Sequence, residues 1–560
     1  MLLAEKKVKR LGIFVFFDKY NKVDKYVEYL LSDFRKAVDK LIIVSNSKLN
    51  EEEYKKLESF SDILHIRKNE GLDAGAIKFI YDLYYDKWKS YDEVLILNDT
   101  FFGPFTTFKD ICAKMAKKDI DFWGLTANYD SEDGYGFLED KMIHQHIQTF
   151  FLAFRKNVVN SKAFKKYWDN YDVGNRKTFL EVVTKHELSF THYLEKAGFK
   201  WDVYVDLTEF KEEDRENNYN IYAYSSYDLI RYYNCPFIKR KNFVFDKMDA
   251  LYLTDGGDAR RSLDYIEKSN IYDTSLIINN LLTQYNNEDL YKGLNLHYII
   301  SDESTAKGKS FVVLLMINHE KNVGFIKRLL EQSNIKNIVI YTSDKSIAKE
   351  FNQSKYSVIT NQKDFDYSKY DFVGIWKDTN FSCSEMSVVR NSYLLNSYNN
   401  LFESEEYVNS LLELFIKKSY LGIICHPSDL QKDLFGEYGL NNNEVPISNN
   451  ACFIRSESFD WNIIMEYSFV NAYKKEMNSQ KKLFITVQNI KEAQTRFVVD
   501  EYIIKETYKT IRKTSNRDIK SFPEGLMLIP FIRSIGTSPS IIRRILSKIK
   551  RIIKKVLKIK

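Results

Sequence analysis

The sequence predicts an α/β protein: two α/β domains in tandem, each on a mostly parallel sheet, followed by a basic amphipathic helix. Three observations predict it. Short apolar runs alternate with segments of helical period from Leu11 to Thr100. The same succession of runs starts again at Lys309. The final stretch, SIIRRILSKIKRIIKKVLKIK, repeats Ile, Leu and Val at three- and four-residue steps with cations between them. Alternating strands and helices imply parallel pairing through crossover helices, and such sheets bind ligands beyond the strands' carboxyl ends.

In the first domain LGIFVFF (11–17) reads as a buried strand, and Val27, Leu30, Leu31, Phe34 and Val38 give 23–38 a helical face. KLIIVSNS (40–47) is a second strand, followed by a helix at 50–60. DILHIRKNEG carries the third strand. Ala76, Ile77, Ile80, Tyr81 and Tyr84 then share one face of a helix over 74–87. VLILNDT (94–100) is the fourth strand. Asp18, Asn46, Asn69 and Asp99 all fall at strand carboxyl ends, so one crevice should collect them.

Bulk properties narrow the class. The chain has 560 residues, 44% hydrophobic and 29% charged, which suits a globular protein with more than one core. Five dispersed cysteines with no C-x-x-C argue for free thiols in a reducing compartment, and against structural zinc. The N-terminus is not expected to be a secretion signal, because its apolar run ends at Asp18 with no small-residue cleavage site. No stretch reaches the roughly 18–20 apolar residues of a membrane span. All acidic residues lie at or before Glu524; ten cations follow it, so a formal charge of +6 leaves −4 for the chain up to that point.

The tail's apolar stripe (Ile542, Ile545, Leu546, Ile549, Ile552, Ile553, Val556, Leu557) suits a lipid interface, with Lys and Arg at anionic headgroups. A helix docked on the protein's own body fits the same stripe, whereas nucleic acid needs cations without a greasy face. The expected partner of residues 540–560 is an anionic membrane surface, with no nucleic acid.

Three further segments carry candidate chemistry. In RKNEGLDAG (67–75), Gly71 and Gly75 permit positive φ or close approach, and Asp73 can cap the following helix. The helix N-terminus and Arg67 or Lys68 would favour an anion. In HQHIQTFFLAF, alternation places His146 and Gln148 with Phe150 and Leu152 on one strand face, toward a cleft or as a structural pair. Glu187 opens a helix that Gly198 ends, and Thr184-x-x-Glu187 also fits a capping box.

The R-x-N-x-G-x-D-x-G segment followed by a strand ending in Asn98-Asp99-Thr100 resembles the layout of GT-A glycosyltransferases. That resemblance implies a divalent cation, Mg²⁺ or Mn²⁺, on Asp99, bridging the diphosphate of a nucleotide-sugar, with Asn98 and Thr100 orienting it. It also implies Glu187 as the base that removes the acceptor's proton in an inverting transfer. More narrowly, RKNEGLDAGAIK, YDEVLILNDTFFGPF, HIQTFFLAF, the helix led by HELS and CPFIKRKNF (235–243) occur in an order that resembles the rhamnan synthesis protein F family. The likeness spans about residues 10–245. It implies a rhamnosyltransferase of bacterial cell-wall and capsular polysaccharide assembly, with dTDP-rhamnose as donor and a lipid-linked glycan as acceptor at the cytoplasmic face. Lys239 would be a phosphate contact, though a surface lysine fits as well.

KSFVVLLMIN (309–318), KNIVIYTSDK (336–345) and YDFVGIWKDTNFS (370–382) parallel LGIFVFF, KLIIVSNSK and YDEVLILNDTFFG, the first, second and fourth strands of the N-terminal half. Lys377 stands where Asn98 does, and Asp378 matches Asp99. His426 and Arg455 are candidates there for phosphate or structural roles. The expected organisation is two tandem GT-A-like domains: a catalytic domain over 1–250 and a second, divergent one over 309–515, joined by a helical linker over 251–308. The basic membrane-surface helix spans 535–560, and the protein is expected in the cytoplasm, peripheral to the inner face of the cell membrane. Two rivals differ in class. A sugar-1-phosphate nucleotidyltransferase needs a Gly-rich loop after the first strand, which FFDKYNKVDKY lacks. A non-catalytic glycan-binding or scaffold subunit is favoured by the single carboxylate of the NDT motif.

Overall fold

A computed structural model describes residues 2–132, 142–174, 178–210, 221–244, 257–302, 309–352, 355–378, 387–427, 447–461 and 476–493. The expected basic helix over 535–560 lies outside the described residues. Two compact units result: one holds the described residues up to Phe243 together with Gly257–Asn280, the other those from Leu281 onward. Among the described residues no helix is long and apolar enough to cross a membrane.

The first unit is a three-layer sandwich. Its sheet contains β1 (Arg10–Phe16), β2 (Lys40–Ser45), β3 (Ile63–Ile66), β4 (Glu93–Asn98), β5 (Phe122–Gly124), β6 (Phe151–Arg155) and β7 (Trp201–Val203), in the order β3-β2-β1-β4-β6-β5-β7. β1 to β4 are mutually parallel, and β6 runs antiparallel to both β4 and β5. Alternate residues of β1 serve opposite faces, as strand geometry requires. Leu11, Ile13 and Val15 join α3 (Leu72–Trp88), which follows α2 (Glu51–Glu58) in the chain, and the aromatic cluster of Phe164, Trp168 and Phe190 in one core. On the other face Phe34 of α1 (Lys25–Ala37) meets Phe108 of α4 (Phe108–Ala116), with ring centroids 5.2 Å apart. Gly12 belongs to that face: a Cβ there would lie 2.9 Å from the Phe34 ring.

Two sequence expectations change. The run from His146 to Leu152 is not one alternating strand. His146–Ile147 pairs with Ala127–Asn128, the chain turns at Thr149–Phe150, and only Phe151–Arg155 joins the main sheet. The helix at Glu187 does not open there either. It begins at Phe179, where Thr178 and Glu181 form the capping box, and passes through a π-helical turn (Val183–Glu187) into Leu188–Lys196. The Thr184 hydroxyl donates to the Leu180 carbonyl at 2.8 Å, so it caps nothing.

The stretch 258–284 forms the helices Asp258–Ser269 and Thr274–Gln284. The first is tied to the N-terminal unit, since Asp258 accepts the backbone N–H groups of Ser226 (2.9 Å) and Tyr227 (3.0 Å).

The second unit carries β8 (His297–Ile300), β9 (Phe311–Met316), β10 (Ile338–Tyr341), β11 (Ser357–Ile359), β12 (Phe372–Lys377), β13 (Leu421–Pro427), β14 (Ile447–Arg455) and β15 (Leu483–Asn489). Their order is β11-β10-β9-β12-β14-β13-β15-β8. Apart from the added edge strand β8 this is the order of the first sheet, and β14 is antiparallel where β6 is.

A structural arginine repeats too. Arg155, last in β6, donates to the carbonyls of Ile120 and Met115; Arg455, last in β14, donates to those of Leu421 and Phe415. Each ties a helix end to the start of the next strand. Arg455 therefore holds backbone together, which is the structural of its two expected roles.

Candidate active site

The carboxyl ends of β1 to β4 lie along one edge of the first sheet, because these four strands are parallel. The candidate residues there separate into three groups.

The first group builds a turn. Asn46, just past β2, donates to Asn69 Oδ1 (3.0 Å) and to the Leu72 carbonyl (3.1 Å), and accepts from Arg67 at 2.7 Å. Arg67 also donates to the Glu70 carbonyl and lies over the Phe79 ring. Gly71 and Leu72 both adopt positive φ, at 69° and 54°. A Cβ on Gly75 would sit 2.1 Å from the Glu70 oxygen, so only glycine allows this turn to close on the helix. Arg67, Asn46 and Asn69 thus shape the turn that positions Asp73.

The second group surrounds Glu187. Asp73 sits in the first turn of α3, where it accepts the N–H of Ala74 (2.9 Å) and the Asn98 amide (3.0 Å). Glu187 Oε2 accepts both the backbone N–H of Thr149 (3.0 Å) and its hydroxyl (2.7 Å), while Oε1 has no hydrogen bond among the described residues. Burial raises the Glu187 pKa, but His146, the two Thr149 bonds and Lys239 outweigh it, so the carboxyl lies below its ordinary value. Lys239 rests on the Phe150 ring, its Nζ 3.2 Å from the centroid. Burial brings its pKa down to about 7, against the opposing fields of Glu187 and Asp73. Buried His146 bonds the His144 carbonyl at 2.7 Å and stays within electrostatic reach of Glu187. Gln148 accepts from Thr126 at 2.7 Å, a local structural bond.

The third group surrounds Asp99. Asp18 accepts the backbone N–H groups of Tyr20 (2.8 Å) and Lys22 (3.1 Å), so its carboxylate shapes the loop after β1. Asp99 accepts from the Tyr26 hydroxyl at 3.3 Å, and the Arg240 guanidinium lies 3.7 Å from the same Oδ2. Burial pushes its pKa up to about 6, with Arg240 opposing and Asp18 adding to the rise. Thr100 folds back onto Asn98, donating its hydroxyl at 2.8 Å.

Pairing of Ile238–Lys239 with Phe101–Phe102 links the last two groups. Consecutive residues diverge: Asn98 and Lys239 serve the Asp73–Glu187 side, and Asp99 and Arg240 the Asp18–Tyr26 side. Sequence reading selected Lys239 and missed its neighbour Arg240. It also missed Tyr26, which reads as one more apolar position of α1. The KRK run and strand alternation are the signals that pointed to Arg240.

A cation on Asp99 would have one carboxylate to hold it. Asp18 is engaged with backbone, Asp73 bonds Asn98 and Ala74, and among the described residues no three His, Cys, Asp or Glu side chains form a metal-ligating set. The donor set does not fit a cation held by the protein alone.

The sequence profile of the family described as "Rhamnan synthesis protein F" (RgpF) matches residues 41–356, more than half of the chain. The chain belongs to the RgpF family. The matched span runs from β2 of the first sheet to just short of β11 in the second. A curated relative of this RgpF-family chain, "Uncharacterized protein y4gN" of Sinorhizobium fredii, is 24% identical over 159 residues, or 28% of the chain and 39% of that relative. The chain thus spans well under half the length of that relative.

Solved structures similar to it include the glycosyltransferase GlyE of Streptococcus pneumoniae (12% identity, 64% of this chain and 81% of that one, TM-score 0.24). Another is the mannosyltransferase Ktr4p of S. cerevisiae (11% identity, 34% and 68%, TM-score 0.20). A third is the inositol-1-phosphate CTP transferase of T. maritima (10% identity, 35% and 85%, TM-score 0.22).

Proposed function

We propose that this chain is a glycosyltransferase whose first unit, of GT-A type, moves a sugar from a nucleoside diphosphate to an acceptor hydroxyl with inversion. One observation carries the reading: an ionised, anchored Glu187 with one uncommitted oxygen shares the sheet edge with the cationic pair Lys239–Arg240. Family membership supports rhamnose as the sugar, with dTDP-rhamnose as donor and a lipid-linked glycan of bacterial surface polysaccharide as acceptor.

The step balances as a single displacement. The acceptor oxygen bonds to the anomeric carbon as its proton passes to Glu187 Oε1, and the bond from that carbon to the β-phosphate oxygen breaks. The nucleoside diphosphate leaves with the electron pair, and cations near the leaving oxygen stabilise it. Mg²⁺ or Mn²⁺, if bound at Asp99, would supply the same neutralisation. Asn98 and Asp73 orient the wall between the two sides.

The experiment is transfer from dTDP-rhamnose, with UDP-sugars in parallel, to a lipid-linked acceptor by wild type and Glu187→Gln. Loss of about 10²–10⁴-fold in kcat with an unchanged Tm supports the reading, this being the usual worth of a general base. An inactive wild type that binds no nucleotide but retains glycan would establish the scaffold subunit instead.

Residues 540–560 would keep the cleft near a membrane-embedded acceptor, raising its effective concentration. Co-sedimentation with anionic vesicles, lost on removing 535–560, is the expected result; undiminished sedimentation would end the idea.

A further inference from the structure

We propose that Arg240, held by Tyr26 and Asp99, supplies the positive charge for the donor's diphosphate, so that this cleft binds a nucleoside diphosphate without a divalent cation. The inference rests on the glycosyltransferase reading and names which group does the neutralising.

Arg240 is placed by backbone before its side chain makes any contact. The pairs Ile238–Phe102 and Lys239–Phe101 extend beyond β4, and the Arg240 N–H donates to the Thr100 carbonyl at 3.2 Å. From there Nη1 donates to the Tyr26 hydroxyl at 2.9 Å, and Nη2 lies 3.7 Å from Asp99 Oδ2. The Tyr26 hydroxyl is bonded in turn to the Asp99 carbonyl (3.1 Å) and carboxylate (3.3 Å). Tyr26 is itself fixed: its side chain is buried and its ring meets Phe102 edge-on at 5.0 Å. The guanidinium is held by three elements, α1, the end of β4 and the strand 238–239.

This arrangement disfavours a cation on Asp99. A Mg²⁺ would bind its oxygen at about 2.0–2.1 Å, and a permanent cation already lies against that same oxygen. Removing Arg240 to admit the metal would break the Tyr26 bond. The neighbouring carboxylate of Asp18 is held by the loop of Tyr20 and Lys22, so a second ligand is not at hand. A guanidinium, by contrast, is planar and matches phosphate with paired donors. Asp99 then becomes a positioning residue that aims Arg240.

The test is isothermal titration of the full chain with dTDP and UDP, in EDTA and in Mn²⁺, for wild type, Arg240→Gln, Arg240→Lys and Tyr26→Phe. Expected are wild-type Kd values within threefold of each other in the two media, and a loss of about 10-fold or more in Arg240→Gln that Mn²⁺ does not restore. Arg240→Lys should recover part of the loss. Tyr26→Phe, which keeps the ring and removes only the hydroxyl, should weaken binding several-fold and serves if Arg240→Gln fails to fold. Nucleotide binding that needs Mn²⁺ and ignores both Arg240→Gln and Tyr26→Phe overturns this inference while leaving the glycosyltransferase reading intact. Absence of nucleotide binding in either medium overturns both.

Discussion

Asp99 and Asp378 occupy the same place in two sheets of the same core strand order, one residue past β4, which pairs with β1, and one residue past β12, which pairs with β9. Their carboxylates are used differently. Asp378 accepts the backbone N–H groups of Asn318 (2.7 Å) and His319 (3.0 Å) and the Asn322 amide (3.2 Å), so it holds the loop after β9. In the first unit the corresponding loop, after β1, is held by its own Asp18. Asp99 is thereby released from that loop and meets the side chains of Tyr26 and Arg240. One topology delivers an aspartate to the strand end twice. A second aspartate in the next loop decides whether the first becomes a brace or part of a cleft.

The widest gap between the units should appear in catalysis. Glu187→Gln is expected to cut transfer by about 10²–10⁴-fold, whereas Asp378→Asn should leave it near wild type in the same assay. Equal losses in both would break the division of labour proposed here.

In stability the contrast reverses. Asp378→Ala strands two part-buried backbone donors and should cost about 1 kcal/mol in urea denaturation of the second unit. An unchanged midpoint would show that water or another group replaces the carboxylate.

A smaller effect separates the two sides of the first cleft. Lys239 loses its proton as pH rises through about 7, so donor affinity should weaken several-fold between pH 6 and 8. Lys239→Arg, always charged, should flatten that slope. A slope that survives in Lys239→Arg would assign it to another group.

The smallest expected effect concerns Asp99. Its folded-state pKa of about 6 exceeds the ordinary value of 3.8, so the folded protein binds the proton more tightly than the unfolded chain does. Stability is therefore full below the unfolded pKa and falls as pH rises through about 6. Asp99→Asn removes that loss, so Tm should rise slightly at pH 7–8 and the difference should vanish below pH 4. A lower Tm at pH 7–8 would mean that the Arg240 pair outweighs the burial cost.

Much of this was legible in the residues. The strands β2, β9, β10 and β12 fall inside the apolar runs read for them, and β1 and β4 start one residue ahead of theirs, because buried parallel strands must be apolar on both faces. The helices Asp258–Ser269 and Thr274–Gln284 lie within 251–308, the stretch expected to be helical. The break at Thr149–Phe150 was not legible. Alternation continues through it, and only the two different pairing partners, Ala127–Asn128 and β4, reveal that the chain turns. The role of Thr149 toward Glu187 depends on that turn, and so Thr184 looked like the partner when it was not.

By itself the sequence determined the layers, the strand ends and the candidate carboxylates, since burial period and turn chemistry are local properties of the chain. Tertiary structure alone decided which carboxylates remain available for chemistry. Asp18, Asp73, Asp99 and Asp378 are alike in sequence, each polar beside an apolar run or a glycine. They differ in their partners: the nearby backbone of Tyr20 and Lys22 for Asp18, and for Asp99 the side chains of Tyr26 (3.3 Å) and Arg240 (3.7 Å), both distant in the chain.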